Sequence, residues 1–318
     1  MIDTNSGFGS QRSNMTQGRL LVTILINNYN YGRFLGQAID SALNQTYQDV
    51  EVLVVDDGST DESRGIVSSY GSRIVSILKE NQGQASAFNA GFAASRGEII
   101  CMLDADDFFY PYKVERVIPY CQPGSMLYHR LQIEPGATIT PRAISPYVDY
   151  YRHAQHYGFV PYMASPTSGL VIRRDLALRL TPLPTEHVRF SADDFVVRGA
   201  ALLGRVIGIP DVLASYRVHG ENAWYGKPPL KSPAFIAELE EYLNRKLVQA
   251  GKEPVIDFYR SMSAIEYVPQ SAAELTRLGM SVFSRHADLV TLKFVLRTLS
   301  RVVQCAMTPA SSGCARQN

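Results

Sequence analysis

Three short, mostly apolar runs, Leu20 to Ile26, Val50 to Val55 and Glu98 to Leu103, each end directly in a polar or acidic cluster. The clusters are Asn27 to Asn30, Asp56-Asp57 and Asp104-Ala105-Asp106-Asp107. Runs of this length, rich in Val, Ile and Leu, fit strands buried on both faces of a parallel sheet. Helical spacing lies between them: Phe34, Leu35, Ala38, Ile39 and Leu43 share one side of a segment over Phe34 to Leu43. Ser59-Thr60-Asp61-Glu62 offers a cap and acidic first-turn positions for a second helix, Ile74 to Leu78 reads as a third strand, and Ala85 to Ser95 as a small-residue helix. The alternation predicts an open, mostly parallel α/β sheet. Such sheets bind ligands beyond the carboxyl ends of their strands, so the three clusters are expected on one edge.

After Pro111 the pattern loosens. Tyr147 to Tyr162 is dense in aromatic residues, Thr167 to Arg173 reads as a strand, and Asp193 to Leu203 as a helix with Val196, Val197, Ala200 and Leu203 inward. From Glu221 onward helical periodicity takes over, in Phe235 to Leu247, Ala272 to Leu278 and Leu289 to Ala306, after a break at Gly226, Pro228 and Pro229. The expected organisation is a flexible, polar tail over 1–18, one domain over 19–222 and a helical C-terminal region over 223–318.

With 31 Lys and Arg against 30 Asp and Glu, the 318-residue chain carries a net charge of +1. That balance gives no reason to expect nucleic acid as partner. The four cysteines, Cys101, Cys121, Cys305 and Cys314, form no C-x-x-C pair, which disfavours a zinc knuckle or a disulfide framework and points to a reducing cytoplasm. No apolar run approaches the ~20 residues that span a bilayer. One local feature is basic: Lys293, Arg297 and Arg301 recur along one stripe of a helix over 289–306, against Leu292, Val295, Leu296, Leu299, Val302 and Val303. Such a helix suits contact with anionic lipid at the inner face of a membrane, and equally docking on the domain or on a second subunit of a homo-oligomer.

Asp104 and Asp106 set two hard carboxylates at one turn, where both can face a divalent cation, Mg²⁺ or Mn²⁺. A capped turn accounts for the same residues. The context extends the reading. With Asn27-Asn28-Tyr29-Asn30, Val55-Asp56-Asp57-Gly58-Ser59-Thr60-Asp61, Asn81-Gln82-Gly83 and Ser95-Arg96-Gly97-Glu98, the sequence resembles the family 2 glycosyltransferases over residues 20 to 220. These are inverting enzymes that use nucleoside-diphosphate sugars, on a Rossmann-like sheet of the glycosyltransferase A type.

The resemblance implies that Tyr29 stacks on the nucleobase, that the Asn27 backbone contacts it and that Asp57 accepts a hydrogen bond from it. It implies that Asp104 lies near the ribose or the metal and that Asp106 is the principal metal ligand, with His219 completing the shell or contacting the diphosphate. Asp193, in Ser191-Ala192-Asp193-Asp194-Phe195, is the implied general base, and a register one residue later would make it Asp194. Arg217, in Tyr216-Arg217-Val218-His219, is the implied clamp on the leaving group. Phe88 departs from the pattern, since many relatives carry a basic residue there. Tyr150, Tyr151, Tyr157 and Tyr162 are candidates for a sugar platform or for core. The activity implied is transfer from a UDP-sugar to a glycan or lipid-linked acceptor in polysaccharide or envelope glycan synthesis. A sugar nucleotidyltransferase is disfavoured because Asn27 to Arg33 is no Gly-rich basic loop. A non-catalytic nucleotide-sugar-binding scaffold is disfavoured by Asp104, Asp106 and Asp193.

Overall fold

The computed structural model describes residues 19–142, 144, 149–162, 164–222, 225 and 233–258. The first half alternates as the apolar runs demand: β1 (Val22–Asn28), α1 (Gly32–Leu43), β2 (Val50–Asp56), α2 (Ser63–Ser69), β3 (Val75–Leu78), α3 (Gln84–Ala94) and β4 (Ile99–Asp104). These strands pair in parallel in the order β3-β2-β1-β4, and the register sets Asn28 beside Asp56 and Asn27 beside Asp104. The polar clusters therefore end flush on one edge. β3 is the edge strand, which explains why Val75 and Leu78 are exposed despite the apolar run.

The second half supplies β5 (Phe108–Phe109), α4 (Lys113–Val117), β6 (Ser125–Glu134), β7 (Ile139–Thr140), α5 (Tyr150–Tyr157), β8 (Leu170–Arg173), α6 (Arg174–Leu180), α7 (Ala192–Leu203), β9 (Arg205–Arg217) and α8 (Pro233–Gln249). The nine-stranded sheet runs β3-β2-β1-β4-β8-β6-β9-β5, with β7 on β6. Its parallel character resides in β1 to β4 and in the β6–β9 pair; β8 is antiparallel to both β4 and β6, and β5 to β9. The result is an α/β, glycosyltransferase A-like sheet, mixed in its second half. β6 and β9 left no clear sequence signal: His129, Arg130 and Gln132 interrupt one, Gly208 and Pro210 the other, and their pairing shifts register at Tyr128 to Leu131.

Successive strand residues feed opposite layers. Leu25, Leu53 and Met102 pack with Phe88 and Phe92 of α3, whereas Ile24, Ile26 and Val54 pack with Leu35, Ala38 and Ile39 of α1. Phe195 of α7 meets Phe235 and Tyr242 of α8 edge to face, both at 5.3 Å between centroids, so α8 closes the first of these cores. Such pairs contribute about 0.5–1.5 kcal/mol each beyond the area they bury. Residues 1–18, the segment Ala272 to Leu278 and the basic helix expected over 289–306 lie outside the described residues.

Candidate active site

The β1–α1 and β2–α2 loops are stitched side by side. Asn28 Nδ2 donates to Asp56 Oδ2 at 2.8 Å and to Ser59 Oγ at 3.1 Å; the Asn30 backbone N–H donates to Ser59 Oγ at 2.9 Å, and Asn30 Oδ1 accepts from the Thr60 N–H at 2.8 Å. Asp61 accepts from the Ser63 N–H at 3.0 Å and from the Gly32 N–H at the start of α1, whereas the cap residue of α2 is Glu62, without a side-chain capping bond and with no acid in the first turn. These bonds tie the two loops together and hold the backbone on either side of Tyr29. Its ring remains 44% exposed and lines the cleft.

Asp57 is held in place from below. It accepts from Lys79 Nζ at 2.5 Å, from the Gln82 N–H at 3.2 Å and from the Gly83 N–H at 2.7 Å. Two glycines allow this. Gly58 has φ +83°, and a Cβ there would sit 2.5 Å from the Asn81 nitrogen; Gly83 has φ +89°, and a Cβ there would sit 2.6 Å from Arg189 Cα.

Asp104, Asp106 and Asp107 bring carboxylate oxygens within 4.8 Å of one another. Burial, then the charges of Asp106 and Asp193, hold the Asp104 carboxyl well above the usual carboxylate range. Burial and the charges of Asp106 and Asp104 do the same to Asp107. Like charges gathered in a site short of water favour protonation or a cation. Asp107 is already engaged: it accepts from Ser168 Oγ at 2.6 Å and from the Arg217 N–H at 2.9 Å, while Ser168 Oγ accepts the Asp104 N–H at 3.1 Å. It braces the turn, leaving Asp104 and Asp106 facing the cleft. His219 Nε2 lies 3.0 Å from Asp106 Oδ2, its ring between Tyr31 and Phe34 at 5.5 and 4.9 Å. Burial, then the charges of Asp106 and Asp104, push the Tyr31 phenol up to about 12.

Across the cleft, α7 presents two acids with different surroundings. Asp193 lines the cleft and accepts from the Tyr162 hydroxyl at 2.8 Å. Burial and the charges of Asp193 and Asp194 push the Tyr162 phenol well up, so it remains a donor. Asp194 is buried and takes Arg198 Nε at 2.9 Å; the same guanidinium donates to the Val160 carbonyl. The cleft between these walls measures 760 Å³ and brings Asn27, Tyr29, Asp57, Asp104, Asp106 and Asp193 together. His219 stands behind Asp106.

The structure also places the remaining residues weighed from the sequence. Of the four tyrosines considered for a platform only Tyr162 lines the cleft; Tyr150 is core, Tyr151 packs under Lys252, and Tyr157 stacks with His153. The Arg217 guanidinium turns to Gln37 and over the Phe34 ring at 4.6 Å, so it is a packing residue in this arrangement. Phe88 is fully buried against Phe92 at 5.9 Å and offers the cleft nothing. Sequence reasoning misses Ser168 and Arg189: Ser168 lies within the run Thr167 to Arg173 read as a strand, and Arg189 belongs to no motif.

Comparison with known proteins gives a consistent result. The glycosyl transferase family 2 model matches residues 23–179. An uncharacterized glycosyltransferase of Nostoc sp. is 34% identical over 261 residues, covering 76% of this chain and 80% of that one. An uncharacterized glycosyltransferase of Rickettsia prowazekii is 46% identical over 98 residues, and the match spans 31% of each chain. Among solved structures, residues 1–349 of S. aureus TarS with UDP-GlcNAc share the fold at TM-score 0.53 and 15% identity, over 89% of this chain and 92% of that one. The mannosyltransferase PcManGT from Pyrobaculum calidifontis, in complex with GDP-Man and Mn²⁺, does so at TM-score 0.50 and 18% identity, over 92% and 82%.

Proposed function

The chain belongs to glycosyl transferase family 2 and is a glycosyltransferase, and on that premise we propose that it transfers one sugar, with inversion, from a UDP-sugar to a glycan or lipid-linked acceptor. The observation that carries the reading is the Asp193 carboxylate facing Asp104 and Asp106 within one cleft that also holds Tyr29 and Asp57. Donor and acceptor chemistry are thereby within reach of each other.

Tyr29 would cover one face of the base and Asp57 would accept its imino N–H, contacts on the order of 1–3 kcal/mol each. Uracil and guanine both carry that N–H, in keeping with the UDP-GlcNAc and GDP-Man bound by the two structural relatives. Asp104 and Asp106, with His219 behind them, offer the hard oxygen set that fits Mg²⁺ or Mn²⁺. A cation bound there supplies neutralisation of charge on the departing diphosphate. Asp193 takes the proton of the acceptor hydroxyl as its oxygen attacks the anomeric carbon, and the bond from that carbon to the diphosphate breaks on the opposite face. Asp107 and Ser168 keep the acidic turn in shape, and Tyr162 orients Asp193. Polysaccharide or envelope glycan synthesis at the cytoplasmic face of a membrane is the setting we expect. Cys101 and Cys121, both buried free thiols, fit a reducing compartment. No helix among the described residues is long and apolar enough to cross a membrane.

The test is a panel of nucleoside-diphosphate sugars with Mn²⁺ and short glycan or lipid-linked acceptors, read by nucleotide release and by the anomeric configuration of the product. Release with an inverted product supports the reading; a retained configuration, or no release with any donor, overturns it.

A further inference from the structure

The cleft is lined by five carboxylates, Asp57, Asp104, Asp106, Asp193 and Asp194, and among the described residues by a single cation, Arg189. A nucleoside diphosphate is itself an anion. A divalent ion at Asp104 and Asp106 answers the diphosphate, and Arg189 is the remaining positive charge that lines the site. We propose that Arg189 reads the nucleobase of the donor, its guanidinium donating to a base carbonyl beside the N–H that Asp57 accepts. The proposal rests on the nucleotide-sugar reading above and deepens it.

Its position follows from backbone geometry rather than from any motif. The strap over residues 187–191 crosses directly above Gly83, where no side chain fits beneath Arg189. The Gln84 N–H donates to the Arg189 carbonyl at 3.0 Å, and Gln84 Oε1 accepts the Ala192 N–H at 2.9 Å. One residue, at the start of α3, therefore pins both ends of the turn that leads into α7. The Arg189 guanidinium donates to Asn81 Oδ1. Asp57 accepts from Gln82 and Gly83, the next two residues of the same loop. A carboxylate acceptor and a guanidinium donor thus share the loop over 81–83 at one end of the cleft.

That pairing has chemical content. Uracil presents an imino N–H flanked by two carbonyls, and guanine an N–H beside one; cytosine has a bare ring nitrogen at the corresponding position. A carboxylate accepting from the N–H next to a guanidinium donating to the carbonyl matches the first two bases and mismatches the third. The bond Arg189 now makes is to a neutral amide, so a base carbonyl competes with Asn81 and not with a salt bridge. Phe190, 64% exposed on the same strap at the cleft lip, adds an apolar ring beside the guanidinium. The strap continues into Ser191, at φ +60°, and then Asp193, so the contact that would read the base and the carboxylate that faces the acceptor belong to one short segment.

The experiment is calorimetric titration of the full chain with UDP, GDP and CDP at saturating Mn²⁺, for wild type, Arg189→Met and Arg189→Lys. Losing a charged donor to the base weakens the better of UDP and GDP by about 10- to 100-fold. The ratio of that nucleotide's affinity to the affinity for CDP should collapse in Arg189→Met. Arg189→Lys should recover only part of it, because an ammonium lacks the planar fork. An unchanged affinity in Arg189→Met overturns the proposal, as does an equal loss for all three nucleotides, which would make Arg189 a phosphate contact. Should wild type bind no nucleoside diphosphate at all, the functional reading falls first, and the two failures are distinguishable.

Discussion

The Tyr162 hydroxyl donates to Asp193 Oδ2 at 2.8 Å, joining the segment after α5 to the first turn of α7 at the mouth of the cleft. Burial and two neighbouring carboxylates push this phenol well above its ordinary range, so it keeps its proton, and the carboxylate at 2.8 Å is a closer acceptor for it than the Ser165 carbonyl at 3.0 Å. The bond sets which lone pairs of Asp193 face the cleft. Tyr162→Phe should lower kcat about tenfold with nucleotide affinity unchanged, as expected for losing one orienting bond. Steady-state rates beside a nucleotide titration check it; an unaltered kcat would make the contact one of packing alone.

Asp193 and Asp194 should separate cleanly. Asp193→Asn removes basicity but keeps size, and turnover should fall by roughly 10²–10⁴ with little change in melting temperature. Asp194→Asn strips the carboxylate from a buried Arg198 and should cost about 3–5 kcal/mol of stability, the penalty of an uncompensated buried charge. Melting curves and rates of both variants decide the assignment: loss of turnover without loss of stability in Asp194→Asn would move the base by one residue.

The strand-end clusters were legible because β1, β2 and β4 are buried on both faces, which writes them as continuous Val, Ile and Leu with the polar edge marked abruptly. Asp56 and Asp57, adjacent in sequence, take different parts: one binds Asn28 and Ser59 to hold the loops, the other faces the cleft. No local pattern separates them. The i, i+4 spacing of Asp194 and Arg198 did carry a readable signal that Asp194 is paired within its own helix. β6 and β9 were hidden because their burial comes from long-range pairing with a register shift. Arg189 was hidden because only the close approach at Gly83 brings it to the site.

Lys113 offers a pH signature. It is fully buried beneath the acidic turn, donates to the Ser168 carbonyl at 3.0 Å and lies 3.2 Å from the Phe109 ring centroid. Burial lowers its ammonium from the ordinary 10.5 to about 7. Between those values the unfolded chain binds the proton that the folded chain releases, so stability rises with pH from about 7 toward 10. The gain from pH 7 to pH 9 should be about 2 kcal/mol, and Lys113→Met should lack it. Urea unfolding of both proteins at the two pH values checks this; parallel pH dependences would contradict it.

If Asp104 and Asp106 hold a divalent cation that receives the donor's diphosphate, UDP binding depends on that ion and on Asp106. Calorimetric titration of UDP into the wild-type chain with Mn²⁺, into the same chain with EDTA, and into Asp106→Ala with Mn²⁺ tests it most directly. Binding is expected in the first titration and at least a tenfold loss in the other two, with Asp106→Ala melting like wild type. Equal UDP affinity in all three would contradict it.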